Sequence, residues 1–320
     1  MSSRSPEAAL RVAMIAITWC GATVIRADAV PTTARLTTAD DSCCVPPAGV
    51  MAAKGSATQP SKLPTLRIDA DANNLPFTSD ELIGFENRIA AIIGEELQLT
   101  PSYTWRAQRR GFFKHALKEG ECELVLGVPA GFEMGLTTKP YYRSSFAFVY
   151  RDTPELKGLR SLDDPRLKSL RIGIQLVGDD GANAPPAHAL GARGLARNLV
   201  GYNVLGDYRE ANPPARVMRA LAAGEVDVAV AWGPVAGYFA AHENKGLVVV
   251  PIAEEVDPLT KLPMTFNMCM AVRHGDAKLR DALNAALERR RADVERVLAQ
   301  YHVPLLPVTA VPPAAAEDDD

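Results

Sequence analysis

The sequence predicts an α/β protein of two lobes, joined by two crossing strands, with a cleft between them. Three observations predict it. Strand and helix patterns alternate through the middle of the chain. A strand–helix–strand frame recurs 104 residues later. Two further apolar strands lie outside both frames and bracket the second.

The alternation starts at a short buried strand, 66–70. A helix follows over 84–99, with Phe85, Ile89, Ile92, Ile93 and Leu97 on one face. Residues 108–118 read as a second helix and 123–128 as a strand that stops at Pro129. This is βαβ order, which favours parallel sheets. Leu170-Arg171-Ile172 then echoes Leu66-Arg67-Ile68. Leu221, Gly224, Glu225 and Asp227 echo Leu117, Gly120, Glu121 and Glu123 at the same offset. Generic βαβ units also look alike, but two matches at one offset point to two similar lobes.

The strands outside the frames are 144–151 and 263–273. The chain therefore leaves the first lobe near 151 and returns near 262. Lobe one is 65–151 plus 262–303, and lobe two is 152–261. A final helix, 276–301, carries Leu279, Leu283, Leu287, Val294, Leu298 and Tyr301 at helical spacing and should pack back on lobe one. Lobes on such a hinge close around a ligand.

Both ends of the chain read differently. Arg4 and Arg11 precede an apolar run over 12–25, followed by Ala27-Asp28-Ala29. That is a secretory signal, 1–29, with an apolar run too short to span a membrane. Trp19 before Cys20 is too bulky for a lipid-attachment site, so cleavage after Ala29 is preferred, leaving no membrane span in the mature form. Residues 30–64 read as a disordered leader and 304–320 as a disordered tail. Net charge is −3 over 320 residues, with no broad basic footprint for nucleic acid.

Of the cysteines that remain after cleavage, Cys122 and Cys269 each fall on a predicted core strand. They stand equally as buried small hydrophobes or as a disulfide in an oxidising compartment. There is no CxxC and the five His are scattered, so no metal site or cofactor is expected. Nucleophile-elbow, phosphate-loop and HExxH motifs are absent too, which argues against an enzyme.

Ligands of open α/β lobes bind beyond the carboxyl ends of the strands. That rule selects Asn73, Asn74 and Phe77 after the first strand and Phe132 after the third. In lobe two it selects Asp179, Asp180 and Trp232. Asn73-Asn74 equally suits a turn before Pro76, Asp179-Asp180 a helix cap, and Trp232 a core position. Trp105, Arg109 and Arg110 open the second predicted helix, whose amides favour an anion. Only one of the two Arg can face the cleft. Tyr141-Tyr142 suits an apolar cleft wall or plain hinge packing.

These loops together resemble a known family. The residues concerned are Asp71-Ala72-Asn73-Asn74-Leu75-Pro76-Phe77, Gly84-Phe85-Glu86-Asn87, Tyr103-Thr104-Trp105 with Gln108-Arg109-Arg110-Gly111-Phe112, and Gly127-Val128-Pro129-Ala130-Gly131. Thr137 to Ser144, Val177 to Asn183 and Trp232 to Tyr238 complete the set. They resemble the quinoprotein-dehydrogenase-associated solute-binding proteins, MoxJ- and XoxJ-like, over 65–303. The resemblance implies a type II periplasmic binding protein fold. It also implies a PQQ-dependent methanol or alcohol dehydrogenase as partner, lanthanide-dependent enzymes included, with its cytochrome c and a small ligand as further candidates. The role implied is maturation or activation of that enzyme in the periplasm.

Amino-acid receptors of this fold usually hold the ligand carboxylate with an Arg after the third strand, and the amine with an Asp in lobe two. Here those places read Pro129-Ala130-Gly131-Phe132 and Ala231-Trp232-Gly233. A bidentate Arg contact is one of the stronger recognition terms, so amino-acid transport is disfavoured. The alternatives are an importer's receptor for a small non-amino-acid solute and, after it, an enzyme on the same fold. The relatives often have Cys where Asp69 stands. If that Cys pairs with the one matching Cys122, then Cys122 here is left with Cys269 as its candidate in the folded region.

Overall fold

A computed structural model describes residues 63–109, 111–176, 184–204, 208–243 and 246–309. The predicted signal, the leader through residue 62, Arg110, Asp179, Asp180 and residues 310–320 lie outside the described residues.

The first lobe opens with β1 (Thr65–Ala70), a short ribbon of β2 (Asn73–Asn74) and β3 (Thr78–Ser79), and α1 (Phe85–Leu97). Then come β4 (Thr100–Trp105), a π-helical turn at Lys114–Lys118, β5 (Leu124–Pro129) and β6 (Leu136–Thr137). β1 lies between β4 and β5, parallel to both. α1 buries Phe85, Ile89, Ala90 and Ile93. Its start is fixed by Asn87, whose Oδ1 accepts the N–H of Gly84 at 3.1 Å and of Ser79 at 2.9 Å.

β7 (Tyr142–Arg151) carries the chain out of this lobe. The second lobe contains β8 (Ile172–Leu176), α2 (Pro185–Ala192), β9 (Leu199–Asn203), α3 (Arg216–Ala223), β10 (Val228–Trp232), α4 (Gly233–His242) and β11 (Leu247–Pro251). β12 (Thr265–Val272), α5 (Ala277–Arg289) and α6 (Arg291–Gln300) return to the first lobe. One mixed, curled sheet of ten strands results, in the order β4-β1-β5-β12-β7-β10-β8-β9, with β11 on β7 and β6 on β12. β7 is the shared strand. Its residues Tyr142–Ser145 pair with β12, and Phe146–Tyr150 pair with β10. β12 crosses too: Met264, just before it, is in the second lobe's core, whereas Met268, Met270 and Val272 are in the first.

The internal repeat is visible in the register. Ile68 lies opposite Leu124, and Ile172 opposite Val228, each residue of the second pair 104 places on from its counterpart in the first. The same clamp holds both pairs. Arg67 donates its backbone N–H to Glu123 (3.0 Å) and a guanidinium N–H to the Glu121 carbonyl (2.9 Å). Arg171 does so to Asp227 (2.7 Å) and the Gly224 carbonyl (2.9 Å). Both ion pairs are substantially exposed, so each contributes little, on the order of 0–1 kcal/mol. They mark register more than they stabilise it.

Three expectations are corrected. The second predicted helix shrinks to the Lys114–Lys118 turn. Residues ahead of it are tied to the first strand instead: the Gln108 amide donates to Asp71 Oδ2 at 2.7 Å, and Gly111 turns left-handed at φ 86°. Those amides are therefore not a helix N-terminus. The last helix is two helices, broken at Arg290 (φ −102°, ψ 17°). Leu287 and Val294 keep a seven-residue spacing across the break, so periodicity does not register it.

Nor does the chain loosen at Pro304. The Ser144 hydroxyl donates to the Pro304 carbonyl (2.7 Å), the Leu306 amide to the Arg143 carbonyl (2.9 Å), and Asn267 Nδ2 to the Thr309 carbonyl (3.1 Å). Residues 302–309 thus form a strap along β7 and β12, and it also meets α4. A methyl at Gly237 would overlap the His302 carbonyl, and one at Gly233 would sit 3.4 Å from the Pro304 ring. Gly237→Ala is expected to lift the strap and to cost about 1–3 kcal/mol, as overpacking does, read as a lower urea midpoint. An unchanged midpoint would count against this seating.

Candidate functional site: the interlobe cleft

A cavity of about 260 Å³ lies between the lobes. Asn74, Phe77, Glu86, Gln108, Leu126, Gly127 and Met268 line it from the first lobe. Phe146, Gln175, Val204, Pro214, Trp232 and Val235 line the rest. Its floor is a β-bulge: Leu126 and Gly127 together face the single Met270 between the Val125–Ala271 and Val128–Cys269 pairs. Gly127 has φ 68°, which the bulge requires and glycine supplies. The Glu86 carboxyl lies directly over it, where a Cβ would collide.

Glu86 is 6% exposed. Burial pushes its carboxyl up to about 8, with no compensating hydrogen bond or cation. The cavity's amides are partly engaged. Asn74 Nδ2 donates to Gln108 Oε1 (3.1 Å), and Gln175 accepts the Trp232 N–H (2.8 Å). No Lys, Arg or His lines the cavity among the described residues.

The lobes are latched across the cleft. Asn73 Nδ2 donates to the Glu210 carbonyl (2.6 Å), and its Oδ1 accepts the Asn212 N–H (2.7 Å). Tyr208 reaches back to Asp71. Burial, then the Asp71 charge, pushes its hydroxyl up to about 12. Asn73→Ala is expected to remove about 2 kcal/mol of closure, at about 1 per bond. That raises the open-to-closed ratio roughly thirty-fold. Small-angle scattering should then give a larger radius of gyration; an identical profile would refute the latch.

Similarity to known proteins follows the whole folded body. No family model matches the chain. It is 29% identical over 290 residues to protein MoxJ of Methylorubrum extorquens, covering 88% of this chain and 96% of that one. It superposes on the crystal structure of MxaJ from Methlophaga aminisulfidivorans with TM-score 0.65 at 23% identity, covering 76% of this chain and all of that one. On the crystal structure of periplasmic binding protein XoxJ from Methylobacterium extorquens it superposes with TM-score 0.61 at 35% identity, covering 76% of this chain and all of that one. The chain belongs to the MoxJ/XoxJ-like periplasmic binding proteins.

In this MoxJ/XoxJ-like chain the predicted cleft residues separate into groups. Asn74, Phe77 and Trp232 line the cavity, and Asn73 forms the latch beside it. Phe132 does not line it. It is buried against Phe113 (ring centroids 4.9 Å apart) in a satellite cluster with Cys269. Trp105 stacks on Tyr103 at 4.8 Å beside β1, and Arg109 is exposed near it. Tyr142 is in the first lobe's core, edge-on to Phe85. Tyr141 faces a groove with Asn284, Leu287 and Arg291, on the α5–α6 side. Arg110, Asp179 and Asp180 lie outside the described residues.

The disulfide expectation is corrected: Cys122 and Cys269 are free and buried. Cys269 faces Val128 on β5, and Cys122 lies before that strand, six residues back along the chain. At about 3.3 Å per residue that is roughly 20 Å, against the ~7 Å limit between bridged Cα atoms. Burial pushes the Cys269 thiol up to about 12, so it is a small hydrophobe and not a nucleophile. Asp69 is buried and paired with Arg106 at 3.2 Å.

Glu86, Gln108 and Gln175 are polar lining residues that sequence reasoning passed over as site residues. One signal was present for Glu86. It stands on the apolar stripe of α1, with Ile89, Ala90 and Ile93 at i+3, i+4 and i+7. His115, Glu119 and Glu121 form the one metal-like cluster among the described residues, but they are half-buried or exposed and already paired. His115 bonds Glu119 at 2.6 Å and Arg106 bonds Glu121.

Proposed function

We propose that this chain is a periplasmic accessory protein of a methanol or alcohol oxidation system, which binds a PQQ-dependent dehydrogenase to help mature or activate it. The observation carrying this reading is the 35% identity to XoxJ over the whole of that periplasmic binding protein. The cleft supports it, since it presents no cationic side chain among the described residues. A carboxylate ligand of the amino-acid type would have nothing to pair with there. On this reading the predicted signal, 1–29, delivers the chain to the periplasm. It acts by binding, as the relatives' descriptions as binding proteins suggest.

The test is co-expression with an apo-dehydrogenase from the same cell. Co-purification of the pair and a higher yield of active holoenzyme are expected. Full dehydrogenase activity in a deletion strain, with no co-purification, would overturn the proposal.

A further inference from the structure

We infer that the interlobe cavity binds a small organic ammonium of about ten non-hydrogen atoms, with its charged nitrogen received by the Glu86 carboxylate over the β5 bulge. The size follows from the volume: a cavity of about 150 Å³ holds benzene, and this one measures about 260 Å³. This inference goes beyond the partner role proposed above and stands whether or not a dehydrogenase binds.

The chemistry follows from what each lining group still needs. Asn74 Nδ2 donates to Gln108 Oε1, and both of these side chains are more exposed than Glu86. Gln175 accepts the Trp232 N–H and donates to the Pro214 carbonyl at 3.4 Å. Leu126, Val204, Val235 and Pro214 offer hydrocarbon, and Met268 a weakly accepting thioether. Glu86 alone is a buried polar side chain with no partner, and it is held in place by the first turn of α1. A buried carboxyl left without a partner is costly. An N–H-bearing ammonium supplies both the missing charge and the missing donor. The rings of Phe77, Phe146 and Trp232 surround the remaining space, and aromatic faces attract the methylene groups next to a cationic nitrogen. An anion finds no cation to meet it, and a neutral alcohol can hydrogen-bond the protonated carboxyl but gains no ion pair.

The binding is tied to a proton. In the empty cleft Glu86 carries a proton at neutral pH, because burial raises it to about 8. Entry of an ammonium requires that proton to leave to solvent. Other titratable groups around Glu86 are Asp69 and Asp71 at the end of β1, Tyr103 on β4, and Tyr141 and Tyr142 at the start of β7. The tyrosines stay protonated throughout this range, burial having raised all three further. Burial raises Asp69 to about 6 despite its pairing with Arg106. The informative window therefore starts above that value.

Titration calorimetry on the mature full chain tests this with benzylammonium, benzyl alcohol and benzoate. Benzylammonium is expected to bind at least about tenfold more tightly than either of the others. Its affinity should rise by up to about tenfold per pH unit between about 6.5 and 8. Glu86→Gln should weaken benzylammonium about tenfold or more while leaving benzyl alcohol within about threefold. The pH series on the unaltered protein keeps the test valid if that variant misfolds. No binding of benzylammonium, a pH-independent affinity, or equal affinity in Glu86→Gln would each overturn the inference.

Discussion

Arg193→Ala is expected to destabilise the protein by about 3–5 kcal/mol, the usual cost of leaving one partner of a buried ion pair alone. Arg193 is itself nearly buried and joins two acids. Its Nε donates to Asp163 (2.7 Å), and its Nη2 lies 2.7 Å from Asp257 Oδ1. The Asp257 side chain is fully buried. Burial alone would raise that carboxyl, but hydrogen bonds from Arg193 and Thr260 outweigh it and hold it below the usual range. Thr260 donates both its amide and its hydroxyl to Oδ2, each at 2.7 Å. Without Arg193 the burial cost stands uncompensated.

The pH dependence has a definite sign. An acid held below its unfolded value stabilises the native state above that value, 3.8 for Asp, and the contribution is lost as pH falls through the depressed native one. The gap between the parent and Arg193→Ala should therefore be full at pH 7 and close in acid below about 4. Urea denaturation at pH 7 and at a series of pH values stepping down from 3.8 measures it. A loss under about 1 kcal/mol at pH 7 would show that the pair behaves as a surface one.

Glu86→Gln is expected to act in the opposite sense and stabilise the empty protein at alkaline pH. Glu86 is protonated in the native state up to about 8 but ionises in the unfolded chain near 4.5. Stability that is fully present below 4.5 is thus lost as pH rises towards 8, at up to about 1.4 kcal/mol per pH unit. Glutamine has no proton to lose. The variant should match the parent near pH 4.5 and exceed it increasingly up to pH 8, where the difference levels off. Parallel stability curves for the two proteins would mean that Glu86 is ionised and solvated in the native state. The same substitution removes the group proposed to receive the ammonium, so a gain in stability paired with a loss of binding is a signature that packing damage does not produce.

Much of the frame was legible because it is local or repeated. Strand β1 and helix α1 follow from apolar spacing at 66–70 and 85–97. The 104-residue echo in Arg67/Arg171 and Glu123/Asp227 returns as one shared clamp. What misled was also local. The apolar stripe from Leu279 to Tyr301 runs through the Arg290 break without a change of phase. Residues after Trp105 have helix-forming composition, but Asp71, distant in sequence, takes the Gln108 amide. Proline-rich composition after 304 concealed a strap that bonds β7 and β12 from Pro304 onward.

By itself the sequence determined the two-lobed α/β frame and its hinge strands, since periodicity and repetition are properties of short stretches read in order. It also showed that the charged anchors of amino-acid receptors are missing from two loops. Only the tertiary structure decided what replaces them. Phe77, Glu86, Gly127 and Trp232 become one cavity because α1, the β5 bulge and the end of β10 converge, and no spacing along the chain encodes that meeting. The β5–β12 register keeps Cys122 and Cys269 apart, and the convergence turns Glu86, an ordinary helix residue in sequence, into a buried carboxyl without a partner.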